Sequence, residues 1–367
     1  MNGAESLLET LINNGVEVCF SNPGTSEMHM VAAIGKTQGM RSILSLFEGV
    51  CSGAADGYGR MAGKPACTLL HLGPGLSNAS ANLHNAKKAN TPVLNLIGDH
   101  AVYHKKYDAP LTSDIISLAQ GVSDWVHTTD TAENLPKDAA EAVAIANQGA
   151  GKISTLIVPA DCAWNDSVDP APLKPAVPLV TVGVEAVDQA AELLQNGKTT
   201  MILLGNMGLT EEALSLADKI GQASGARIFT DTFFTRMPRG EGRCQVERLQ
   251  YFAEMGVEQI KDIEQLIMVG TKAPVAFFAY PGKPSEFYAP GSELHTLANV
   301  DEDAVDALSR LVTAIGAESE NPRYTKLVKA GPGKDGLSPG TIGMTFAEYL
   351  PVDAIVVDEG ATAGGAC

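Results

Sequence analysis

The sequence predicts an α/β protein made of mostly parallel sheets flanked by helices. Three observations carry that prediction. Short β-branched or continuously apolar runs alternate with helical stretches over residues 1–165, the pattern of parallel strands covered on both faces. Glycine and proline punctuate the strand ends, in Asn22-Pro23-Gly24, Gly73-Pro74-Gly75 and Gly98-Asp99. A segment with four prolines, 167–181, then separates this region from a second one with the same alternation.

In chain order, strands are expected at 16–20, 42–47, 66–71, 92–97, 125–127 and 153–158. Helices are expected between them, at 5–14, 26–36, 49–62, 77–88, 112–120 and 132–148. Together they make a first domain, 1–166. The proline-rich linker is stiff and extended. The middle domain, 182–316, is expected to be Rossmann-like. It has helices at 184–196, 211–224 and 301–315, with strands at 200–205, 227–230, 266–270, 275–279 and 294–300. A polar linker, 317–337, follows. Residues 338–350 read as a helix with Ser338 as N-cap and Pro339 at the first helical position. A strand at 354–358 would then open a third domain, 338–367. A first strand with nothing after it is not a domain, so the chain reads as a fragment of something longer.

Bulk composition excludes several classes. The 367 residues carry a formal net charge of −17, which disfavours a nucleic-acid partner because phosphate binding calls for a basic face. No apolar run approaches the roughly 18 residues of a membrane helix, and no basic segment followed by an apolar core marks a signal peptide. The six cysteines are scattered without a Cys-x-x-Cys pair. No metal ligands are therefore assigned, and a reducing cytoplasm is expected.

One carboxylate stands out. Glu48 falls where an apolar strand gives way to a helix rich in Gly49, Ser52, Gly53, Ala54 and Ala55. An acid in the first turn of a helix is ordinarily a dipole partner. At the end of a buried strand it is costly unless its charge or proton has a use. The small residues invite close approach by a neighbour. Phe47-Glu48, Ala55-Asp56-Gly57-Tyr58, Arg60 and Gly63-Lys64-Pro65 form one long pattern. Two further stretches lie at strand ends, where open α/β sheets bind ligands: Ser21-Asn22-Pro23-Gly24-Thr25-Ser26-Glu27 and His71-Leu72-Gly73-Pro74-Gly75-Leu76-Ser77-Asn78. The first reads as a turn with Thr25 or Ser26 as N-cap. In the second, His71 has a neutral-pH proton to trade.

The pattern from Phe47 to Pro65 resembles the pyrimidine-domain motif of thiamine-diphosphate-dependent acetohydroxyacid (acetolactate) synthases and benzoylformate decarboxylases. The resemblance implies the fold of that family, a pyrimidine-binding domain followed by the middle domain. It also implies a site. Glu48 would hydrogen-bond the cofactor's aminopyrimidine and favour the imino form that removes the thiazolium C2 proton, a role helped by an apolar pocket to which Phe47 and Val50 contribute. Pro23, Gly24, Gly73, Pro74 and Asn78 would also bind the cofactor. Thr25 and His71 would meet the substrate, with His71 relaying protons. The turn after His71 matches the synthases, whereas His71 itself matches the decarboxylases.

The resemblance further implies a 2-oxo acid substrate, decarboxylation with carboligation, and Mg²⁺ bridging the diphosphate. It implies a homodimer or homotetramer with the cofactor at the subunit interface. The Gly-Asp-Gly motif of the family's diphosphate domain does not occur in the chain, so the 367 residues alone are expected to be inactive. Alternatives are a non-ligating benzoylformate-decarboxylase-like enzyme and a non-catalytic binding or oligomerisation protein. FAD is not favoured, since no flavin signature lies around 230–243 and Gly205-Asn206-Met207-Gly208 lacks dinucleotide spacing. Leu111 stands where the synthases have a glutamine, and 273–280 lacks the decarboxylases' second histidine. His100 and His104 read as loop residues, and Arg236, Arg239 and Arg243 as solvated.

Overall fold

The computed structural model describes residues 1–175, 177–329, 331–334 and 336–360. They form two compact bodies. One comprises Met1–Pro238 and Val246–Pro322, the other Arg239–Gln245 and the described residues from Arg323 onward.

In the first body, six strands form a parallel sheet: β1 (Val18–Asn22), β2 (Arg41–Leu44), β3 (Ala66–His71), β4 (Val93–Asp99), β5 (Trp125–Thr128) and β6 (Ile153–Pro159), ordered β2-β1-β3-β4-β6-β5. Helices α1 (Gly3–Asn13), α2 (Met28–Lys36), α3 (Glu48–Ala62), α4 (Leu72–Lys88), α5 (Ile115–Gln120), α6 (Leu135–Ala146) and α7 (Ala160–Trp164) connect and flank them. Each face of the sheet has its own core. Leu7, Leu11, Cys19, Cys67, Leu94 and Leu156 pack on one side, and Leu70, Leu76, Leu83, Ile97 and Ile157 on the other. A buried polar ladder crosses the middle strands. Thr68 Oγ1 donates to Asn95 Oδ1 at 2.8 Å, and Asn95 Nδ2 to Thr155 Oγ1 at 3.0 Å.

The chain leaves β1 for β2 on one side and then crosses to β3 on the other. The strand order therefore reverses between β1 and β3, and the crevice outside their carboxyl ends is where such sheets bind ligands. Asn22 and His71 end those two strands.

The proline-rich segment runs along α1. Ala171 N–H donates to Thr10 Oγ1 and Lys174 N–H to Asn14 Oδ1, both at 2.9 Å. The second sheet follows: β7 (Thr200–Leu204), β8 (Arg227–Thr230), β9 (Glu247–Arg248), β10 (Gln265–Val269) and β11 (Glu293–Ala298), parallel and ordered β11-β10-β7-β8-β9. It carries α8 (Val184–Gln195), α9 (Glu211–Ser224), α10 (Ala253–Gln259) and α11 (Ala304–Ala314).

Several expected elements differ. Residues 275–279 form no strand; Val275 makes only an isolated antiparallel bridge to Glu286, and Phe277 and Phe278 are exposed. The run is apolar but has no ladder to join. The short β9 and α10 were not expected from the sequence. Strand β2 is an exposed edge rather than a buried strand, because β1 covers only one of its sides. Helix α4 begins at Leu72, five residues before the expected start, so Gly73-Pro74-Gly75 is its first turn and not a free turn.

In the second body, α12 (Pro339–Tyr349) has the expected Ser338 cap, reciprocated by Thr341. Cys244 bridges Tyr324. Residues 354–358 are not a strand, since no neighbouring edge pairs with them among the described residues. Ala361, Thr362 and Cys367 lie outside the described residues.

Candidate functional site

Glu48 is the first residue of α3, following Phe47 in extended conformation. Its Oε2 accepts a hydrogen bond from Asn78 Nδ2 at 2.9 Å. Asn78 lies about two turns into α4, and two more bonds stitch the helices together. Ser52 Oγ donates to the Ala79 carbonyl at 2.9 Å, and Asn82 Nδ2 to the Gly49 carbonyl at 2.7 Å. The small residues of α3 therefore admit α4. A Cβ at Gly53 would sit 3.2 Å from Asn82 Nδ2. Phe47 and Val50 do not enclose Glu48 within the chain; they are exposed, as are Leu44 and Leu46, because β2 is an edge.

The rest of the motif holds the fold. Arg60 makes a bidentate pair with Asp56, both bonds 2.8 Å. Tyr58 and Lys64 both reach Glu17, at 3.0 and 2.8 Å, and hold its carboxyl below its ordinary range. Gly59 lies flat against Thr91 and Pro92. Gly63 ends α3 in the left-handed conformation at φ 66°.

The second cluster occupies the crevice between β1 and β3. After Asn22 and Pro23, Gly24 caps a single 3-10 turn, Thr25–Glu27, so neither Thr25 nor Ser26 is the cap. The Gly24 N–H donates to Glu27 Oε2 at 2.7 Å, and His71 Nδ1 lies 2.8 Å from the same oxygen. Glu27 is fully buried, and its Oε1 has no partner. Burial pushes its carboxyl pKa up, against the pull of the Gly24 amide and His71. Leaving one such oxygen unpaired costs about 1–3 kcal/mol. Gly24 must be glycine here, for a Cβ would fall 2.5 Å from the His71 ring. Across the crevice, a Cβ on Gly98 would collide with Glu27 Oε1, and one on Gly73 with the Ser113 side chain. Leu72 turns the chain from β3 into α4 at φ 52°, a costly angle for leucine.

The predicted residues thus fall into two groups joined through α4. Glu48 and Asn78 form one. Gly24, His71 and Gly73 form the other, with Thr25 and Pro74 exposed beside them. Glu27 and Gly98 belong to the second group and were not singled out from the sequence. Glu27 lies 44 positions from His71, so no local spacing links them. The lone signal was an acid closing a turn that opens with glycine.

Other candidates sit elsewhere. His100 and His104 lie beyond β4 with ring centroids 5.7 Å apart, and Leu111 is exposed. Arg236 donates to the Met61 carbonyl at 2.9 Å, capping the end of α3 rather than standing solvated. In the second sheet the crevice between β7 and β10 is filled by protein. Asn206 Nδ2 donates to the Gly270 carbonyl at 2.8 Å, and a Cβ on Gly205 would lie 2.7 Å from Thr271. No helix is long and apolar enough to cross a membrane, and no cluster of three potential metal ligands occurs, among the described residues.

The parallel sheet thus carries an acid–amide pair on two converging helices and a buried Glu–His pair at its switch point. Residues 1–124 match the family model of the thiamine pyrophosphate enzyme N-terminal TPP binding domain. The chain is 45% identical over 372 residues to a Mycobacterium tuberculosis protein named "Putative acetolactate synthase large subunit IlvX", covering 99% of this chain and 70% of that protein. It is 25% identical over 294 residues to the benzoylformate decarboxylase of Pseudomonas aeruginosa, covering 78% of this chain and 54% of that one. The chain belongs to the thiamine-pyrophosphate-dependent enzyme family. Its fold matches the thiamine diphosphate-dependent 4-hydroxybenzoylformate decarboxylase of Rhodococcus jostii with a TM-score of 0.79 at 19% identity, covering 97% of this chain and 70% of that one.

Proposed function

We propose that this chain is the cofactor-activating part of an enzyme that decarboxylates a 2-oxo acid and ligates the product to a second carbonyl, as acetolactate synthases do. Thiamine diphosphate, when bound, would supply the nucleophilic carbon and the electron sink that decarboxylation of a 2-oxo acid needs. The observation that carries the reading is Glu48. It stands at the start of α3, four residues after the exposed edge strand β2, and is held by Asn78. The residues fit the pyrimidine half of the cofactor: an acid to hold a ring nitrogen, and exposed Phe47 and Val50 to cover the ring from a facing subunit. Pro23, Gly24, Gly73, Pro74 and Asn78 would line the same face. Residues 1–166 would be the pyrimidine-binding domain. Mg²⁺, a homodimer or homotetramer, and a cytoplasmic location complete the proposal.

The second reading is a simple decarboxylase. The Glu27–His71 pair favours it, because a fixed imidazole beside Thr25 is suited to deliver a proton in place of a second carbonyl. Product analysis with pyruvate and benzoylformate separates the two. Glu48→Gln tests both. In the complete enzyme, proton exchange at C2 of bound thiamine diphosphate is expected to fall at least about 100-fold, and undiminished exchange would remove Glu48 from the role.

A further inference from the structure

We propose that Glu27 is the positioning residue of His71. It holds the ring as the Nδ1–H tautomer and so leaves Nε2 as the nitrogen that trades a proton with the substrate. The inference rests on the reading that His71 faces the substrate.

The argument starts from the carboxyl. A turn that needs only a cap does not need a fully buried acid, since a glutamine oxygen would accept the Gly24 N–H equally well. Glu27 instead places both of its bonds on Oε2 and leaves Oε1 sealed without a partner. Such an arrangement costs stability, which suits a group kept for what it does to its neighbour.

The backbone then closes in from the turn after β1 and from β4. Gly24 presses on the His71 ring and Gly98 on Glu27 Oε1, and at either position a Cβ would overlap the pair. The imidazole therefore has one seat. The titratable groups on the elements around the turn are Cys19 on β1, Cys67 and His71 on β3, Asp99 at the end of β4, and His29 and Lys36 on α2; the two cysteines lie in the core and Lys36 pairs with Glu5. Asp99 is taken up by Lys105, and His29 packs against Trp164. His71 is the group that reaches the carboxyl.

With Nδ1 committed, the ring offers Nε2. A carboxylate on one nitrogen fixes both the tautomer and the orientation of the other. An imidazolium held this way gives up its Nε2 proton and returns to the neutral Nδ1–H form, while Glu27 is unchanged.

The test reads the ring directly, by ¹⁵N NMR of the histidine side chains without added cofactor, with His71 assigned by His71→Gln. In the native protein, neutral His71 is expected with a pyrrole-like Nδ1 and a pyridine-like Nε2. Glu27→Ala should shift it toward the Nε2–H form, and Glu27→Gln should keep the native tautomer. Gly98→Ala should act like Glu27→Ala by displacing the carboxyl, and should add nothing in the Glu27→Ala background. This arm stands if the alanine variant at position 27 does not fold.

In the complete enzyme of which this chain is part, with thiamine diphosphate, Mg²⁺ and pyruvate or benzoylformate, kcat should fall about 10-fold or more in Glu27→Ala at nearly constant KM, and recover partly in Glu27→Gln. An unchanged Nδ1–H signal in folded Glu27→Ala or Gly98→Ala overturns the proposal. If the complete enzyme turns over neither acid while the tautomer responds as expected, the functional reading fails and the positioning claim stands.

Discussion

Glu48 and Asn78 meet across two helices, the amide donating to the carboxylate at 2.9 Å. Residues from different motifs thus come together through the packing of α3 on α4. Asn78→Ala should leave folding nearly untouched, within about 0.5 kcal/mol by urea titration, because both groups are at least partly open to solvent. In the complete enzyme, C2–H exchange of bound thiamine diphosphate should slow, by less than in Glu48→Gln, since the acid remains while its orientation loosens. Equal exchange rates in Asn78→Ala and the native protein would show that the amide has no part in holding Glu48.

Gly59 makes the opposite prediction. A Cβ there would lie 2.6 Å from both the Pro92 carbonyl and Thr91 Cγ2. Gly59→Ala should cost about 1–3 kcal/mol in unfolding free energy. The variant should retain native C2–H exchange below its melting transition. Its damage would be read in stability, although Gly59 belongs to the same sequence motif as Glu48.

Asp231 gives a pH signature. It sits at the end of β8 beside a cleft of about 260 Å³ and accepts from Thr271 Oγ1 at 2.6 Å. Burial raises its carboxyl above the ordinary aspartate range, outweighing the hydroxyl. A raised native pKa means that the folded state binds the proton more tightly than the unfolded chain. Its contribution is therefore most favourable in acid and is lost as pH rises from the ordinary aspartate value through the raised native one. Asp231→Asn carries no such penalty. It should match the native protein near pH 3 and exceed it in stability near neutrality, as followed by urea titration at several pH values. A gap that narrows as pH rises would contradict the burial argument.

Much of this molecule was legible before its structure. Alternating runs located the six strands of the first sheet within a few residues, because buried parallel strands must be apolar on both faces. The Ser338 cap of α12 was readable because capping is local. The errors share a cause. Strand β2 is an exposed edge, 354–358 has no partner, and 275–279 lies in an aromatic loop. Each is an apolar run whose fate depends on what lies beside it.

The motif around Glu48 shows the same division. Its residues named the family, yet the sequence did not separate Glu48, which Asn78 holds, from Tyr58, Gly59 and Lys64, which tie α3 to its surroundings, or from Asp56 and Arg60, which pair within it. The sequence by itself determined the alternation, the parallel sheets and the family, since those follow from local pattern and from long motifs. Only tertiary structure decided the site. Pairing β1 with β3 sets Glu27 against His71, and packing α4 on α3 brings Asn78 to Glu48. These contacts join residues tens of positions apart, where no periodicity connects them and crossover topology alone does.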